Sequence, residues 1–507
     1  MNFFERAIAT ISPETALKRM KARHKLEVIN DYANHGASTR KKSLAGWQTS
    51  SASAIEDIEQ NVELLRERSR DLYEGAPIAT GAIKTKRTNV VGAGLKLNAR
   101  IDYQTLGITQ QRADELETQI EREFALWADS INCDAQKMND FYDLQRLAYL
   151  SFLISGDCFI TLPVRKTKGM PYDLRVQIIE ADRVCNPERL ETLNAKIING
   201  VEIDGNGEVV AYHIAKHHPH SSKVELNQWS RVPKFGAKTG RINVIHLMEA
   251  ERPEQRRGIP LLAPVIESLK QLTRYTEAEL IAAVVSGMFT VFIKTPFPEQ
   301  PGNFGLNQSE EIDDEENIVE MAPGSIQYLD EGEEAQISNP GRPNTAFDGF
   351  VTSMCRQIGV ALEIPYEVLL KHFTSSYSAS RAALLEAWKT FRNSREWLIK
   401  RMCMPIYEEF LSEAVAKGRI DLPGFFSDPI IKKAYCGAEW NGPTQGQIDP
   451  KKEVEAAILR VEHGFSTHTK ETTELTGGNW FNNISLLELE ERTKKAAKGG
   501  DENENRD

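Results

Sequence analysis

The sequence predicts a helix-rich α+β fold, and three observations carry that prediction. From Leu262 onward apolar residues recur at helical spacing: Leu262, Val265, Ile266, Leu269 and Leu272, then Leu280, Ile281, Val284 and Val285. Between Gly156 and Met248 the pattern changes to short strands, with Asp204-Gly205-Asn206-Gly207 set as a hairpin turn between Val201/Ile203 and Val209/Val210. The acid of the chain is local: residues 295–341 hold twelve Asp and Glu and no Lys, Arg or His, and they lie between two long helical patterns. The formal net charge is -11, so everything outside that segment sums to about +1.

Taken in order, residues 1–40 read as a basic N-terminal arm, with Ser12 and Pro13 placed to start a helix. A Ser-rich entry covers 35–54. Helices then dominate to about Asn89, with Pro77 separating two of them, and the run from Val91 to Leu97 turns into a strand. Helices follow at 110–129 and 141–153, before the strand-rich stretch. Gly258-Ile259-Pro260 opens the longest helical pattern, and thirty residues of it would form a rod of about 45 Å. Its end, 280–293, reads as buried helix running into a strand; 14 residues fall short of the roughly 18 a bilayer span needs. After the acidic insert a second helix covers about 344–362. Ile364-Pro365 breaks it, and His372 to Ser380 reads as a Ser/Thr-rich loop. A third long helix runs from Ala382 to about Lys417 and should kink at Pro405. Short helices joined by Gly/Pro loops fill 419–493, and 494–507 should be disordered.

The length of 507 residues allows two to four domains or one elongated subunit. With 40% hydrophobic and 27% charged residues and a mean hydropathy of -0.43, the composition is that of a soluble protein. The N-terminus has no signal-peptide pattern, and the six cysteines are scattered without a CxxC pair, which fits a reducing compartment and no disulfide framework. Tight non-specific nucleic-acid binders carry a basic stripe; this chain has none.

Catalytic and metal motifs are missing too. There is no GxxxxGK[ST] phosphate cradle, GxGxxG, HExxH or GxSxG. His217, His218 and His220 flank Pro219 with no Cys or acid pair at ligand spacing, so a solvated loop is expected, not a metal site. Glu310, Glu311, Asp313, Asp314, Glu315 and Glu316 lack the spacing and turn glycine of an EF-hand loop and read as a solvated or docking face. Cys158, among apolar strand residues, reads as a small buried hydrophobe. The expectation is no enzyme, no catalytic residues, no metal and no cofactor.

Short pieces in collinear order carry a resemblance. They are Arg66-Glu67-Arg68-Ser69-Arg70-Asp71-Leu72-Tyr73, Pro77-Ile78-Ala79, Gly81-Ala82-Ile83, Asn89-Val90-Val91-Gly92 and Ser155-Gly156-Asp157. Ile179-Glu180-Ala181-Asp182-Arg183, Arg252-Pro253, Gln255-Arg256-Arg257-Gly258 and Pro323-Gly324 follow. Arg342-Pro343-Asn344, Pro365-Tyr366-Glu367, Tyr377-Ser378, Ser380-Arg381 and Asp449-Pro450 complete the set. In these the chain resembles the lambda-type family of tailed-bacteriophage portal proteins, the head–tail connectors. One departure falls at 371–378: where such proteins often show an acidic residue and then Asn-Tyr-Ser, this chain has Lys371-His372 and Ser376-Tyr377-Ser378.

The resemblance implies a portal fold of wing, stem, clip and crown, forming a dodecameric ring with a central channel. By it, 41–255 would be the wing, 256–293 and 343–363 the stem helices, and 294–342 the acidic clip. Residues 364–380 would be the tunnel loop, 381–418 a long helix leading to the crown, 419–493 the crown and 494–507 a tail. The implied partners are double-stranded DNA passing non-specifically, the terminase large subunit, the major capsid and scaffold proteins and a head–tail adaptor, with no membrane. The implied place is the portal vertex of the virion capsid, reached by assembly in the host cytoplasm. Lys371, His372, Thr374, Ser375, Ser376, Tyr377 and Ser378 would face the channel. Glu310, Glu311, Asp313, Asp314, Glu315 and Glu316 would dock the terminase or the adaptor. The competing classes are a terminase-like nucleic-acid enzyme, disfavoured by the missing phosphate loop, and a non-channel capsid or scaffold protein, disfavoured by the long helices around an insert.

Overall fold

The computed structural model describes residues 18, 21, 52–187, 197–221, 228–287, 291–294, 334–337, 346–373, 376–446 and 449–504. Apart from Lys18 and Lys21, both helical, the basic arm expected over 1–40 lies outside them, as does most of the Ser-rich entry. The chain divides into two compact units after Asp57, and the helices and sheets from Val62 onward belong to the second.

Helix α1 (Val62–Gly75) and helix α2 (Pro77–Val90) are separated at Ala76. Proline at the first position of α2 loses nothing, because that N–H has no intrahelical acceptor, and it holds Ala76 extended. Gly92 and Gly94 have positive φ, so the strand expected from Val91 begins later, as β1 (Lys96–Ala99). A short α3 (Tyr103–Leu106) leads to α4 (Gln110–Ala128) and α5 (Phe141–Ser155). Thr109 and Asp140 cap these two, accepting from the N–H groups of Arg112 and Asp143 at 3.3 and 2.8 Å. The buried face of α4 is Ala113, Leu116, Ile120, Phe124 and Trp127, a helical repeat.

Three antiparallel strands form the first sheet, in the order β3–β2–β8: β2 (Asp157–Thr161), β3 (Gln177–Ile179) and β8 (Val244–Met248). The second runs β4 (Ile197–Ile198), β5 (Val201–Ile203), β6 (Val209–Ala215) and β7 (Trp229–Pro233). The expected hairpin is present between β5 and β6, where Asp204 accepts from the N–H groups of Asn206 and Glu208, both at 2.8 Å.

The long helix does not open at Gly258. A 3-10 turn, Ala263–Val265, contains Pro264, and α6 (Ile266–Gly287) starts after it. Its 22 residues span about 33 Å, shorter than the expected rod. Leu262, Val265, Leu269 and Leu272 are buried, but Leu280, Ile281 and Val284 are 67%, 64% and 54% exposed. The expectation of burial for this end is therefore corrected: no element within the described residues covers that face. Beyond α6, β9 (Val291–Lys294) pairs antiparallel with β10 (Glu334–Ile337), Lys294 standing opposite Glu334. The acidic insert thus leaves and returns at one two-stranded ladder.

Helix α7 (Phe347–Ala361) packs on α6 through Tyr275, whose ring lies 5.7 Å from that of Phe347 and 4.7 Å from that of Phe350. The short α8 (Tyr366–Leu370) follows, then α9 (Tyr377–Leu398), a π-helical stretch Ile399–Cys403 and α10 (Met404–Ala416). The irregularity expected at Pro405 is this wider π turn, set just before a residue that cannot donate to the preceding turn. The last elements are α11 (Pro429–Tyr435), β11 (Ala438–Asn441), α12 (Pro450–Glu462), α13 (His468–Thr476) and α14 (Trp480–Glu504). The tail expected to be disordered is helical to Glu504, and 505–507 lie outside the described residues. The leucines at 486, 487 and 489 and lysines spaced to meet glutamates, as Lys494 meets Glu490 at 3.7 Å, extend the helix past the point where composition suggested an end.

Among the described residues the larger of two apolar cores joins most of the helices with β1, β2, β8 and β11, and a smaller one, built on Phe159, Ile179, Val184, Val201, Tyr212, Ile214 and Val244, joins the two sheets. The ring of Phe124 lies 5.2–5.9 Å from those of Trp127, Phe141, Tyr407, Phe410 and Trp440, and β11 pairs antiparallel with β1. All six cysteines are free thiols. Burial pushes that of Cys158 up to about 12, in keeping with a buried hydrophobe. Among the described residues no helix is long and apolar enough to cross a membrane.

Candidate functional site

The segment joining α7 to α9 is built on α8. Two residues with left-handed backbone, Glu363 and Lys371 (both φ 55), bracket this short helix. Such conformations cost on the order of 1 kcal/mol or more for residues with a side chain, so they persist only where surrounding contacts hold them. Here the Ile364 N–H donates to the Gly359 carbonyl at 2.9 Å, and the His372 N–H to that of Glu367 at 3.0 Å. A Cβ at Gly359 would stand 2.6 Å from the Ile364 carbonyl oxygen. Leu362, Ile364, Val368 and Leu369 are buried, and the Arg356 guanidinium sits 4.9 Å from the centre of the Tyr366 ring. A fixed base therefore presents Lys371, His372 and Phe373, all exposed.

Of the residues expected at the channel, Lys371 and His372 lie together at the end of α8, and Thr374 and Ser375 lie outside the described residues. Ser376 is exposed and precedes α9, whose first residue is Tyr377; Ser378 is exposed on its first turn. The loop expected from His372 to Ser380 is thus shorter than predicted, because the Ser380 N–H already donates to the Ser376 carbonyl at 2.9 Å. The expected docking residues Glu310, Glu311, Asp313, Asp314, Glu315 and Glu316 lie outside the described residues.

A second constellation went unread in the sequence. Asp157, fully buried at the start of β2, accepts from Arg257 Nε at 2.6 Å and Nη2 at 3.3 Å, from Arg66 Nη2 at 3.3 Å and from the Gly258 N–H at 3.2 Å. The remaining Arg257 donors reach the carbonyls of Val184, Asn199 and Ala181, each at 2.7 Å. Arg66 also donates to the Ser155 carbonyl at 3.0 Å and to Asp182, which pairs with Arg70 as well. Burial alone would raise the Asp157 carboxyl, but the charges of Arg257 and Arg66 outweigh it and hold the group well below the usual carboxylate range. Burial lowers His246, which stacks on Phe159 at 4.1 Å, against the pull of Asp157. Gly156 and Gly258 make this closure possible: a Cβ on Gly258 would lie 1.9 Å from the Gly156 carbonyl oxygen.

The histidine loop also differs from expectation. The fold supplies acids that local spacing did not, bringing Glu63 and Glu67 to His220, and Glu180 and Asp182 to His218.

Four of the pieces that carried the resemblance therefore converge in space, with Arg66 and Arg70, Ser155-Gly156-Asp157, Asp182 and Arg257-Gly258 forming one knot. Residues 40–395 match the family model described as phage portal protein, lambda family. The chain belongs to the lambda family of phage portal proteins. It is similar to portal protein B of Escherichia phage lambda, at 23% identity over 93% of this chain and 91% of that one. It is likewise similar to the portal protein of Escherichia phage N15, at 23% identity over 90% of this chain and 89% of that one. Solved structures similar to it include a chain in the virion of a native gene transfer agent particle, at 13% identity, TM-score 0.41 and 82% of this chain against 93% of that one. Another lies in the neck of an empty particle of that kind, at 12% identity, TM-score 0.44 and 82% against 94%. Membership gives the chain a portal function in a tailed phage or prophage. The one sequence signal that marks the knot is a charged residue in a largely apolar run where α5 gives way to β2, Asp157 within Leu153-Ile154-Ser155-Gly156-Asp157-Cys158-Phe159.

Proposed function

We propose that this portal-family chain forms a dodecameric ring at one vertex of the capsid, assembled in the host cytoplasm, through which the terminase large subunit packages double-stranded DNA and through which the DNA later leaves. The observation that carries the ring is the exposed stripe Leu280, Ile281 and Val284 on α6. An apolar face of that kind calls for cover, and copies of the same chain arranged about an axis supply it repeatedly. Negative-stain micrographs of the purified chain are expected to show rings with a central hole; dispersed single chains at assembly concentrations would reject the reading.

In the ring, 41–255 serve as the wing against the major capsid and scaffold proteins, and 256–293 with 343–363 serve as the stem. Residues 294–342 serve as the clip, 364–380 as the tunnel loop, 381–418 as the helix leading to the crown and 419–493 as the crown. The role is structural, with no reaction assigned to the chain. The fixed base on α8 supports a contact role for Lys371, since a ring of such cations meets phosphates transiently while weakly charged walls leave DNA free to slide. Lys371→Glu is expected to lower the yield of heads that retain full-length DNA while leaving rings intact. Normal retention in that variant and in one with a shortened loop would remove the role.

The single ladder of β9 and β10 supports the clip, because it brings the two ends of the acidic insert together. Glu310, Glu311, Asp313 and Asp314 then dock the terminase large subunit and afterwards the head–tail adaptor. Their neutralisation to Gln and Asn is expected to weaken terminase binding in a pull-down while rings still form. Failure of ring assembly would instead make them subunit contacts.

A further inference from the structure

We propose that the corner where the loop between α4 and α5 meets the connection from β2 to β3 docks an acidic peptide segment carrying an apolar side chain. Met138 and Val164 form its apolar centre, and Lys137, Arg165, Lys166 and Lys168 its rim. The two segments are joined to each other: the Ala135 N–H donates to the Val176 carbonyl at 2.9 Å, and Arg165 Nη1 to the Ala135 carbonyl at 3.3 Å.

Both segments are held from beneath. Asp134 is only 2% exposed, and its carboxylate accepts from the N–H groups of Gln136, Met138 and Asn139 at 2.9, 3.1 and 3.2 Å and from Asn139 Nδ2 at 3.4 Å. Lys137 has left-handed backbone (φ 57), which a residue with a side chain keeps only where its surroundings hold it. In the other segment the Arg165 N–H donates to the Asp173 carbonyl at 2.7 Å and the Arg175 N–H to that of Pro163 at 2.9 Å. This fixed frame displays Met138 at 73% exposure and Val164 at 58%. An apolar side chain on a backbone already ordered is a good anchor, because little further freedom is lost when a partner covers it.

Charge identifies the partner. The chain carries a formal net charge of -11, so a group of cations without acids is a local exception. Lys137, Arg165, Lys166 and Lys168 are exposed, and among the described residues none of them forms an ion pair. The acids nearby in sequence are engaged elsewhere: Asp134 with the backbone, Asp140 as the cap of α5, and Asp173 with Lys417 at 2.9 Å. An apolar centre inside a cationic rim complements a peptide that is acidic and carries an apolar residue. A DNA backbone would meet the cations but offer the exposed Met138 and Val164 only phosphate and sugar. The corner lies within one chain, so an absence of rings in micrographs would reject the ring and leave this docking surface standing.

The test is fluorescence anisotropy of a labelled synthetic peptide, leucines alternating with pairs of glutamates, titrated with the full-length chain. Saturable binding is expected, about tenfold or more weaker in Met138→Ala and in the double variant Lys137→Glu with Arg165→Glu, and likewise when serines replace the peptide's leucines. Lys451→Glu, which reverses an exposed cation on α12, should bind as wild type does. All these side chains are exposed, so the variants should keep the wild-type thermal midpoint, and lost binding is then not lost folding. No saturable binding by the wild type, undiminished binding in Met138→Ala or in the charge-reversed variant, an equal loss in Lys451→Glu, or a DNA duplex that binds more tightly than the peptide through the same residues would each overturn the proposal.

Discussion

Asp157→Ala is expected to remove about 3–5 kcal/mol of unfolding free energy, because it leaves two buried guanidinium groups without their counter-charge. Arg66 and Arg257 retain only 4% and 3% side-chain exposure, so neither reaches water in place of the carboxylate. The loss includes the Gly258 N–H, which then has no acceptor at 3.2 Å. The effect also has a pH signature. The folded-state pKa of Asp157 is depressed, so its contribution is complete above the ordinary carboxylate range and fades as pH falls through the folded value. Denaturant titrations of wild type and variant should therefore differ by a constant amount from pH 7 down to about pH 5 and converge only in strong acid. Protein concentration has to be matched, since assembly adds apparent stability. A loss below about 1 kcal/mol would mean that the knot behaves like a solvated ion pair.

Gly258→Ala is expected to be as damaging or worse, at about 4 kcal/mol or more, or to give no soluble chain. The added carbon meets backbone, not a side chain that can swing aside: the Gly156 carbonyl oxygen at 1.9 Å and carbon at 2.4 Å. Relief would require parting the end of α5 from the segment that carries Arg257, which breaks the hydrogen bonds to Asp157 as well. Gly81→Ala is the matching control. Gly81 sits within α2 with nothing within 4 Å of the added carbon, so the exchange should gain about 0.5–1 kcal/mol from helix propensity. Equal stability of the two alanine variants would contradict the close approach.

The difference between those two glycines shows what was legible beforehand. Elements whose causes are local were readable: the helix over 110–129, the break between α1 and α2 from Pro77, and the β5–β6 hairpin from Asp204-Gly205-Asn206-Gly207. The role of Gly258 was not, because its cause is a backbone in contact across roughly a hundred residues of sequence, as are the donors that meet Asp157, 91 and 100 residues away. Five residues of α8 are too few for a periodicity to register. The stripe ending at Val284 shows a different limit: apolar spacing identifies a face that must be covered and says nothing about whether this chain covers it. In the segment joining α7 to α9 the sequence singled out Lys371 and His372, but the left-handed turn that displays them follows from Gly359 and the packing beneath α8, which no local signal carries.

The pairing of β1 with β11 sets a timetable for synthesis. Asn98 and its neighbour Glu439 are 341 residues apart, so a ribosome adding about 5–20 residues per second leaves β1 without its partner for roughly 20–70 s. Throughout that interval a short strand with open hydrogen-bonding edges stands beside an incomplete core that still lacks Tyr407, Phe410 and Trp440. A nascent chain cannot complete this core until nearly nine-tenths of it has been made.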